Sequence, residues 1–473
     1  MNKKAQAKEL DKATSLINHI YYDLSNDNEL RAYLFAKLKR SPISTRDSFE
    51  QQLGILLANL VKAQHSVGGN RWLKISKSND TYKFTSCNRY LTYRIFIEQI
   101  INPLIDSGLL DYHPGYQSSY SRLSRIRASS VFVKKLKHLS ESNIKELETD
   151  MIFYQQKTRL GFNHITKRAE YKKKKVPIAD SPELNYKKLN LDFINAKLKE
   201  TFIGLWLTDK HQKKVKPKIA VSFVFNGLTR SFNSADMTMG GRFYGGWWQQ
   251  IPKIYRPYIT IHNSFTTEFD YSSLHPSILY HWDSLSLDED AYHLNCSWFR
   301  PDLHRKSIKK IFNIILNASS KKVAYNAISY KLNKGVFPVP LQEVLEAVLN
   351  KHSAISHYFY TGVWGKLQRT DSDIAEYCML EMLNQFNAPI LPIHDSFIVQ
   401  MDHLYNLQQV MIEAYKHIVG GDITLGENRI VLHDPLENSN TSDYMTYFKY
   451  AEIYCNKKGM SSQPHDVPDV FPF

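Results

Sequence analysis

Cysteine is scarce in this sequence, and several other signals are absent. The four cysteines among 473 residues lie far apart and form no CxxC pair, so neither a zinc site nor a disulfide framework is indicated. The N-terminus MNKKAQAKELDKATSL lacks the apolar core of a signal peptide, and no uninterrupted apolar run of about 18 residues occurs. There is also no internal repeat. These absences predict a cytoplasmic protein with no membrane contact.

The composition is that of an ordinary folded protein, but its charge is uneven. Hydrophobic residues make up 43% and aromatic residues 13%, which excludes a largely disordered chain, and the length allows about two or three domains. Residues 1–230 carry 41 Lys and Arg against 21 Asp and Glu, a formal charge of +20. Residues 231–473 carry 20 against 25, a charge of −5. The first half is therefore expected to bind a polyanion, with nucleic acid as the first candidate and a solvated basic surface as the alternative.

A winged-helix-like domain is predicted over 61–150. An amphipathic helix there is followed by a stop at Ser107-Gly108, a short strand, a polar turn and a basic second strand. This is the order of a recognition helix and its wing, which could place guanidinium groups against phosphates from two sides. The candidate DNA contacts are Arg89, Arg94, Arg122, Arg125 and Arg127. A packing or protein-binding module is the alternative.

The remaining boundaries follow from shifts in composition. Lysine runs at 172–175 and 213–218 mark a basic region that is either a solvated linker or a path for nucleic acid. The predicted regions are a helical N-terminal segment (1–60), a basic helical linker or thumb-like region (151–225), a mixed α/β region (226–440) and a tail (441–473).

Two acidic residues of the second half stand at predicted strand ends. The stretch TTEFDYSSLHPSILY predicts a strand ending at Asp270 and then a helix that tolerates Pro276 in its first turn. APILPIHDSFIVQ predicts a β-hairpin with His394-Asp395 at its tip. Two such carboxylates can hold a pair of Mg²⁺ ions, which prefer oxygen ligands. Taken separately, Asp270 could cap a helix and Asp395 could form a turn.

A basic helix is predicted between the two acids. In RKSIKKIFNIILNAS, Arg305 and Lys309 are spaced i, i+4 and so project from the same helix face. Such a pair suits a triphosphate, because it neutralises the charge that develops on the leaving group during phosphoryl transfer. An isolated i, i+4 pair of basic residues more commonly belongs to a solvated helix face. The interpretation therefore depends on the order of the three features along the chain, which is the acid, then the basic helix, then the His-Asp turn.

In this order the three motifs resemble motifs A, B and C of family A DNA polymerases and the related phage-type single-subunit RNA polymerases. DYSSLHPSI is similar to the family's DYSxIExR, with some likeness to the DxxSLYPS of family B. The pair Arg305 and Lys309 matches the RxxxK of motif B, and IHDSF is similar to the HDE or HDS of motif C. Upstream, GGRFYGGWWQQIP resembles the family's TGRLSSxxPNLQNIP. The resemblance covers residues 238–400.

The resemblance implies roles for individual residues. Asp270 and Asp395 would bind two Mg²⁺ ions, or Mn²⁺, with the Tyr271 carbonyl as a third ligand. The residues implied in nucleotide binding are Arg305, Lys309, His275 and Asn317. Those implied in primer or template binding are Arg242, Gln249, Gln250, His394 and Arg256. Considered without the resemblance, Trp247 and Trp248 are predicted to be packing residues rather than base platforms.

The sequence departs from the family pattern at two positions. Motif B should end in Tyr-Gly, but Asn317-Ala318 stands there, and the position that screens the ribose 2′-hydroxyl holds His275 in place of Glu. The choice of sugar and the activity of the palm are therefore open. No ligand set for a proofreading exonuclease occurs in the first half. The segment between motifs B and C is short, and its helix DSDIAEYCMLEMLNQF is predicted to be mainly a packing element.

The sequence thus predicts an α+β fold, with a right-hand polymerase palm and small helical fingers. A mainly helical N-terminal region containing a winged helix-turn-helix-like unit would precede the palm. The predicted function is template-directed nucleotidyl transfer from nucleoside triphosphates to a primer on DNA, or on RNA, with DNA synthesis favoured. The alternatives are an RNA polymerase or primase-polymerase, and a DNA-binding replication protein with an inactive palm. The compact size favours a mobile element, phage or repair pathway, and no protein partner is indicated.

Overall fold

The computed structural model describes residues 13–17, 19–38, 46–65, 70–83, 88–115, 123–163, 168–214, 227–332 and 335–426, with 445, 451–452 and 454–455. Within these ranges α-helices alternate with β-strands, so the predicted α+β class is confirmed. Arg122 of the predicted wing, the end of the second lysine run and most of the predicted tail lie outside the described residues.

The chain forms two compact units that share its length in alternating segments. Unit 1 consists of Met1–Thr229, Tyr244–Thr266 and Ile430–Phe473, and unit 2 consists of Arg230–Phe243 and Thr267–Arg429. The three motifs that resemble polymerase motifs A, B and C therefore belong to unit 2. Most of the predicted nucleic-acid-binding half of the chain belongs to unit 1.

The strands are β1 (Thr14–Ser15), β2 (Ile20–Tyr22), β3 (Leu73–Ile75), β4 (Leu110–His113), β5 (Ser124–Ala128), β6 (Ile144–Glu146), β7 (Ile152–Asn163), β8 (Arg168–Val176), β9 (Ile203–Leu205), β10 (Thr229–Phe232), β11 (Gly240–Tyr244), β12 (Ile259–Ile261), β13 (Ser264–Tyr271), β14 (Leu391–Ile393), β15 (Ser396–Gln400) and β16 (Leu425–Gly426). The helices are α1 (Asn28–Lys37), α2 (Arg46–His65), α3 (Asn102–Asp106), α4 (Ser130–Leu136), α5 (Pro182–Glu200), α6 (Asp209–Lys214), α7 (Leu274–Trp282), α8 (Pro301–Asn317), α9 (Lys321–Lys331), α10 (Leu341–Lys351), α11 (Trp364–Phe386) and α12 (Leu404–Val419).

The main core of unit 1 surrounds helix α2. Buried side chains occur on all sides of this helix, from Phe49 to Ala63, because its sequence is apolar around most of its circumference. A sheet with the order β1-β3-β5-β4 and the antiparallel pair β2-β6 supply further strands. Strands β7 and β8 form a long antiparallel pair. Helix α5 begins after Ser181, whose side chain accepts a hydrogen bond from the Leu184 N–H at 3.1 Å.

The predicted helix stop before the wing is present. A π-helical stretch over Tyr93–Ile101 continues into α3, and Gly108 then adopts a positive φ of 70°. The Leu109 N–H donates to the Leu104 carbonyl at 2.9 Å, and the Gly108 N–H donates to the Ile105 carbonyl at 3.0 Å. This pair of bonds is a Schellman motif, which glycine favours because it adopts a positive φ without strain. Antiparallel strands β4 and β5 follow, as the sequence predicts.

Unit 2 combines a small sheet with helices α7 to α12. The hairpin β14-β15 lies beside β13, and the end of β13 pairs with β16. Strand β13 enters unit 2 at Thr267, so only its second half belongs to this unit. Helices α11 and α12 pack against each other, with Cys378, Met382 and Met411 buried.

No helix in the described part of the chain combines the length and the apolar character that a membrane span requires.

A buried histidine follows helix α10 in unit 2. His352 is fully buried, and its Nε2 donates to the Ala291 carbonyl at 2.9 Å. Its Nδ1 lies 3.2 Å from the Tyr280 hydroxyl, so the neutral ring accepts a hydrogen bond there. The ring also lies 4.7 Å from that of Phe312. Burial lowers the pKa of His352 from 6.5 to about 4, partly offset by the bond to Ala291.

We predict that this histidine makes the protein less stable in mild acid. Below about pH 6.5 the unfolded chain binds a proton at His352 that the folded chain does not bind until about pH 4. The free energy of unfolding should therefore fall by about 2 kcal/mol between pH 7.5 and pH 5 through this residue. Urea unfolding of wild type and His352→Gln measures the difference, since other histidines are common to both. An unchanged pH dependence in the variant would contradict the assignment.

Candidate active site

Asp270 lies near the end of β13, on the same face as Glu268. Phe269 and Tyr271 alternate with these acids and are buried, whereas both acids are half-buried. The Tyr271 hydroxyl donates to the Met411 carbonyl at 2.7 Å. Its side chain therefore anchors the strand, and the predicted role of Tyr271 in metal binding depends on its backbone carbonyl alone.

The chain turns sharply after Asp270. Ser273 has a φ of 52° and precedes α7, in which Pro276 is the third residue. Proline is tolerated there because the first turn of a helix needs no intrahelical bond from its N–H. The predicted order of strand, turn and helix is therefore confirmed for this motif.

His394-Asp395 forms the turn of the β14-β15 hairpin, as predicted. His394 is exposed and has a φ of 62°, which reverses the chain, and Asp395 is half-buried. Strand β15 lies directly beside β13, and the Ser396 hydroxyl donates to the Glu268 carboxylate at 2.8 Å. Ser396 directly follows Asp395, and Glu268 is two residues before Asp270, so this bond puts the hairpin turn next to the last residues of β13. The two predicted metal ligands therefore lie on neighbouring parts of the sheet, each within two residues of the Ser396 to Glu268 bond.

Tyr292 connects this carboxylate region to the basic helix. Its side chain is buried and lies near Ser273, three residues after Asp270. Burial raises the pKa of Tyr292 well above its ordinary range, and the charges of Asp290 and Asp395 raise it further, against the opposing charge of Arg305. The phenol is therefore protonated and uncharged at neutral pH.

Arg305 and Lys309 project from one face of α8 onto Tyr292. The guanidinium carbon of Arg305 lies 5.3 Å from the centre of the Tyr292 ring, and Lys309 Nζ lies 5.6 Å from it, both within the range of cation–π contacts. Arg305 also makes a bidentate ion pair with Asp290, at 2.6 and 2.9 Å. The predicted helix and its shared basic face are confirmed.

Asp290 and Arg305 stabilise each other's charged forms. Partial burial raises the pKa of Asp290, but the hydrogen bonds from Arg305 and from the Tyr292 N–H lower it more, so the pKa lies below its ordinary value. The hydrogen bond with Asp290 likewise raises the pKa of Arg305. A positive charge therefore stays fixed beside Tyr292 at neutral pH.

Asp371 on α11 holds two residues of the predicted site together. Its carboxylate is almost completely buried and accepts from Arg242 Nε at 3.1 and 3.2 Å, and Arg242 Nη2 also donates to it. His275 Nε2 lies 3.1 Å from the same carboxylate. One acid thus joins β11, α7 and α11, the elements that carry Arg242, His275 and Asp371.

A second arginine is buried against the same helix. Arg230 on β10 is fully buried and pairs with Asp373 at 2.8 Å and with Glu376 at 2.7 Å, while its Nε donates to the Gly241 carbonyl at 2.8 Å. The prediction that α11 is mainly a packing element is thus incomplete. The helix packs, but it also supplies the acids that fix two arginines.

The remaining predicted residues of the polymerase-like motifs occupy separate positions. Asn317 is the exposed last residue of α8, and its amide donates to the Asn313 carbonyl at 2.6 Å. Gln249, Gln250 and Arg256 belong to unit 1. There Gln249 Oε1 accepts from the Gly245 N–H at 3.1 Å, Arg256 Nε donates to the Ile251 carbonyl at 3.3 Å, and Gln250 is exposed. Trp247 and Trp248 are buried, so their predicted packing role is confirmed.

The arginines of the predicted winged helix are mostly engaged within unit 1. Arg125 is buried, and its guanidinium donates to the Leu123 carbonyl. Arg127 pairs with Asp111 at 2.9 Å and lies over the Trp72 ring, and Arg89 pairs with Glu148 at 3.1 Å. Arg94 is exposed. Among the described members of this set, Arg94 is therefore the best placed to reach a phosphate.

The chemistry of Asp270 and Asp395 fits a hard divalent cation. Each offers carboxylate oxygens, the ligands that Mg²⁺ prefers, and both are half-buried, so a bound ion would be partly shielded from water. Among the described residues, no group of three or more His, Cys, Asp or Glu side chains has the geometry to hold a metal. Further oxygen ligands would have to come from backbone, substrate or water.

The motif pattern alone missed four residues that shape this site. Glu268 could have been found, because the alternation in TTEFDY puts it on the face of Asp270. Asp290 and Tyr292 lie in an irregular segment with no motif of its own. Asp371 is 129 residues from Arg242 and 96 from His275, so no local pattern connects it to them.

A comparison of the chain with protein-family models finds no match, and a comparison with curated proteins finds no significant match.

We predict that Asp371 is a major determinant of the stability of unit 2. Asp371→Asn should lower the free energy of unfolding by about 3 to 5 kcal/mol, because it removes the partner charge of the largely buried Arg242. Asp302→Asn, on the exposed first turn of α8, is the control and should change stability by about 0.5 kcal/mol or less. In the double variant Arg242→Gln with Asp371→Asn, the two losses should be less than additive by about 0.5 to 3 kcal/mol. Strict additivity would show that the pair is not energetically coupled.

Proposed function

We propose that the chain is a template-directed nucleotidyltransferase, with DNA synthesis from a primer 3′-hydroxyl favoured. The observation that carries the proposal is the position of the buried phenol Tyr292, which is close to Asp395 and lies under Arg305 and Lys309 of α8. Asp270 is at the end of the strand beside the hairpin that carries Asp395. Carboxylates that bind metal and cations that bind a triphosphate are the two parts that phosphoryl transfer needs. The resemblance to polymerase motifs A, B and C supports the same proposed function.

Asp270 and Asp395 are the proposed metal ligands. Bound Mg²⁺ would supply a lowered pKa for the attacking hydroxyl and charge neutralisation for the leaving pyrophosphate. The Ser396 to Glu268 hydrogen bond keeps the hairpin in register with β13, and the side chain of Tyr271 anchors the strand from behind. These contacts would hold the two carboxylates at a constant separation.

Arg305 and Lys309 are the proposed triphosphate ligands. Arg305 is nearly half exposed, so its guanidinium can donate hydrogen bonds to a phosphate oxygen on the side away from Asp290. The ring of Tyr292 lies under the charged ends of both side chains. Negative charge entering the site would therefore meet a fixed positive charge rather than a mobile side chain.

His275 and Arg242 are proposed to act through the position that Asp371 imposes on them. His275 stands where the resembling polymerases screen the ribose, and its ring is oriented by the bond to Asp371. Arg242 is mostly enclosed by the same carboxylate, which leaves it a limited surface for primer or template. An RNA polymerase or a primase-polymerase would use the same set of residues.

A DNA-binding replication protein with an inactive palm is the second candidate. It is favoured by Asn317-Ala318 in place of Tyr-Gly, because the amide of Asn317 is bonded to its own helix and offers no aromatic surface to a base pair. Metal binding and nucleotide incorporation separate the two candidates.

We predict that primer extension depends on both acids. Wild type should extend a labelled DNA primer on a DNA template with dNTPs faster than with rNTPs. Asp270→Asn and Asp395→Asn should each slow incorporation by about 10³-fold or more, because the charge that stabilises the transition state is lost. Asp402→Asn, an exposed acid elsewhere in unit 2, should leave the rate unchanged. Extension that survives alanine at both positions would refute the proposed metal site.

We further predict that metal ions stabilise the fold through the same residues. Mg²⁺ or Mn²⁺ at about 100 times its Kd should add about 2.7 kcal/mol to the free energy of unfolding of wild type. A melting scan should show this as a rise in Tm that is absent in Asp270→Asn and retained in Asp402→Asn. A rise in Tm without incorporation would favour the inactive palm, whereas equal rises in all three proteins would place the ion elsewhere.

A further inference from the structure

The β7-β8 hairpin carries a larger net positive charge than any of the polymerase-like motifs. The 25 residues from 152 to 176 include eight Lys and Arg residues and a single acid, Glu170, a formal charge of +7. The whole chain carries +15, so about half of its net charge falls in this segment. Such a concentration calls for a partner of opposite charge.

The strand register puts four of these eight basic residues on one face. Lys157 lies directly opposite Lys173, and its neighbours on the same face are Arg159 on β7 and Lys175 on β8. The other lysines of β8, Lys172 and Lys174, occupy the alternate positions of the strand, opposite Thr158 and Gln156. Like charges directly opposite each other destabilise an antiparallel pair, so this face is organised at a cost to the isolated protein.

The charged part of the hairpin is not part of the core. Ile152 and Phe153 are buried at its base, but the four consecutive residues from Gln156 to Arg159 are exposed, as are Lys173, Lys174 and Lys175. Consecutive exposed residues on a strand mean that both faces meet solvent. Lys175 Nζ also lies 4.2 Å from the centre of the Phe153 ring. Because these cations are exposed, a large partner can reach them without any unfolding of the core.

We propose that the face formed by Lys157, Arg159, Lys173 and Lys175 binds double-stranded DNA in the major groove. In the sheet order β11-β10-β7-β8, β8 is an edge strand, and the twelve residues of β7 extend beyond the four residues of β10, so part of the β7-β8 pair is two-stranded. Two paired strands lie about 4.8 Å apart, and the major groove of B-DNA, about 12 Å wide, admits a two-stranded β-ribbon with its side chains. The cations would lie against the phosphates at the groove edges. The deep, narrow major groove of A-form RNA does not admit such a ribbon, so duplex RNA is the poorer partner.

This assignment goes beyond the proposed polymerase function and does not depend on it. None of the four cations belongs to the polymerase-like motifs, and the contact uses phosphates rather than the reacting atoms. It also differs from the predicted winged-helix contact, most of whose described arginines are held within unit 1.

The test is the salt dependence of binding to a labelled 20-base-pair DNA duplex, measured by fluorescence anisotropy with the full chain. Lys157→Gln, Arg159→Gln and Lys173→Gln are combined in one ribbon variant. Its affinity at 100 mM salt should fall by about 10-fold or more, and the slope of log K against log salt should become shallower by about 2 to 3, since each phosphate contact contributes about 0.9. The control variant removes the same charge from other exposed positions of unit 1, with Lys37→Gln, Lys134→Gln and Lys137→Gln.

Two further comparisons keep the result specific. Lys173→Glu should leave Tm unchanged or raise it, because an acid then faces Lys157, yet it should weaken DNA binding more than Lys173→Gln does. Equal losses in the ribbon and control variants would overturn the proposal, as would equal affinity for the DNA duplex, the matching RNA duplex and single-stranded DNA.

Asp270→Asn should bind the duplex normally, and the ribbon variant should extend a saturating primer-template at the wild-type rate. Failure of the ribbon and failure of the proposed catalysis are thus distinguishable.

Discussion

The geometry of the candidate site depends on the carboxylates that helix α11 presents to two arginines. Asp371 holds Arg242 and His275, while Asp373 and Glu376 hold Arg230. Buried ion pairs of this kind add little stability compared with apolar packing, because removing the charges from water is costly. Their effect is geometric. Each pair allows only a narrow set of positions for β10, β11 and α7 around α11. The strand-end carboxylates Asp270 and Asp395 are positioned relative to these elements.

The basic helix is fixed by the same physical means on a smaller scale. Asp290 accepts two hydrogen bonds from Arg305, and the ring of Tyr292 lies under both cations of α8. The ion pair with Asp290 and the contact with the Tyr292 ring together restrict the positions that Arg305 can take, so its guanidinium stays on the basic face of α8.

Sequence reasoning succeeded where a feature is encoded locally. The hairpin around His394-Asp395, the strand and helix around Asp270, and the burial of Trp247 and Trp248 all follow from short patterns of polarity and turn residues. It failed where a residue acquires its role from a distant partner. Asp371 and Tyr292 lie outside any motif, and the acids that pair with Arg89 and Arg127 of the predicted wing are 59 and 16 residues away in the sequence.

The alternation of segments between the two units has a consequence for synthesis. Arg230 and Arg242 leave the ribosome with the short segment Arg230–Phe243, well before the rest of unit 2. Arg242 is 129 residues ahead of Asp371, so at usual elongation rates it waits roughly 6 to 26 s for its partner. During that interval both guanidinium groups remain hydrated at the surface of a nascent chain. Strands β10 and β11, which carry the two arginines, can therefore be buried only late, after α11 has been synthesised and its acids can neutralise both guanidinium groups.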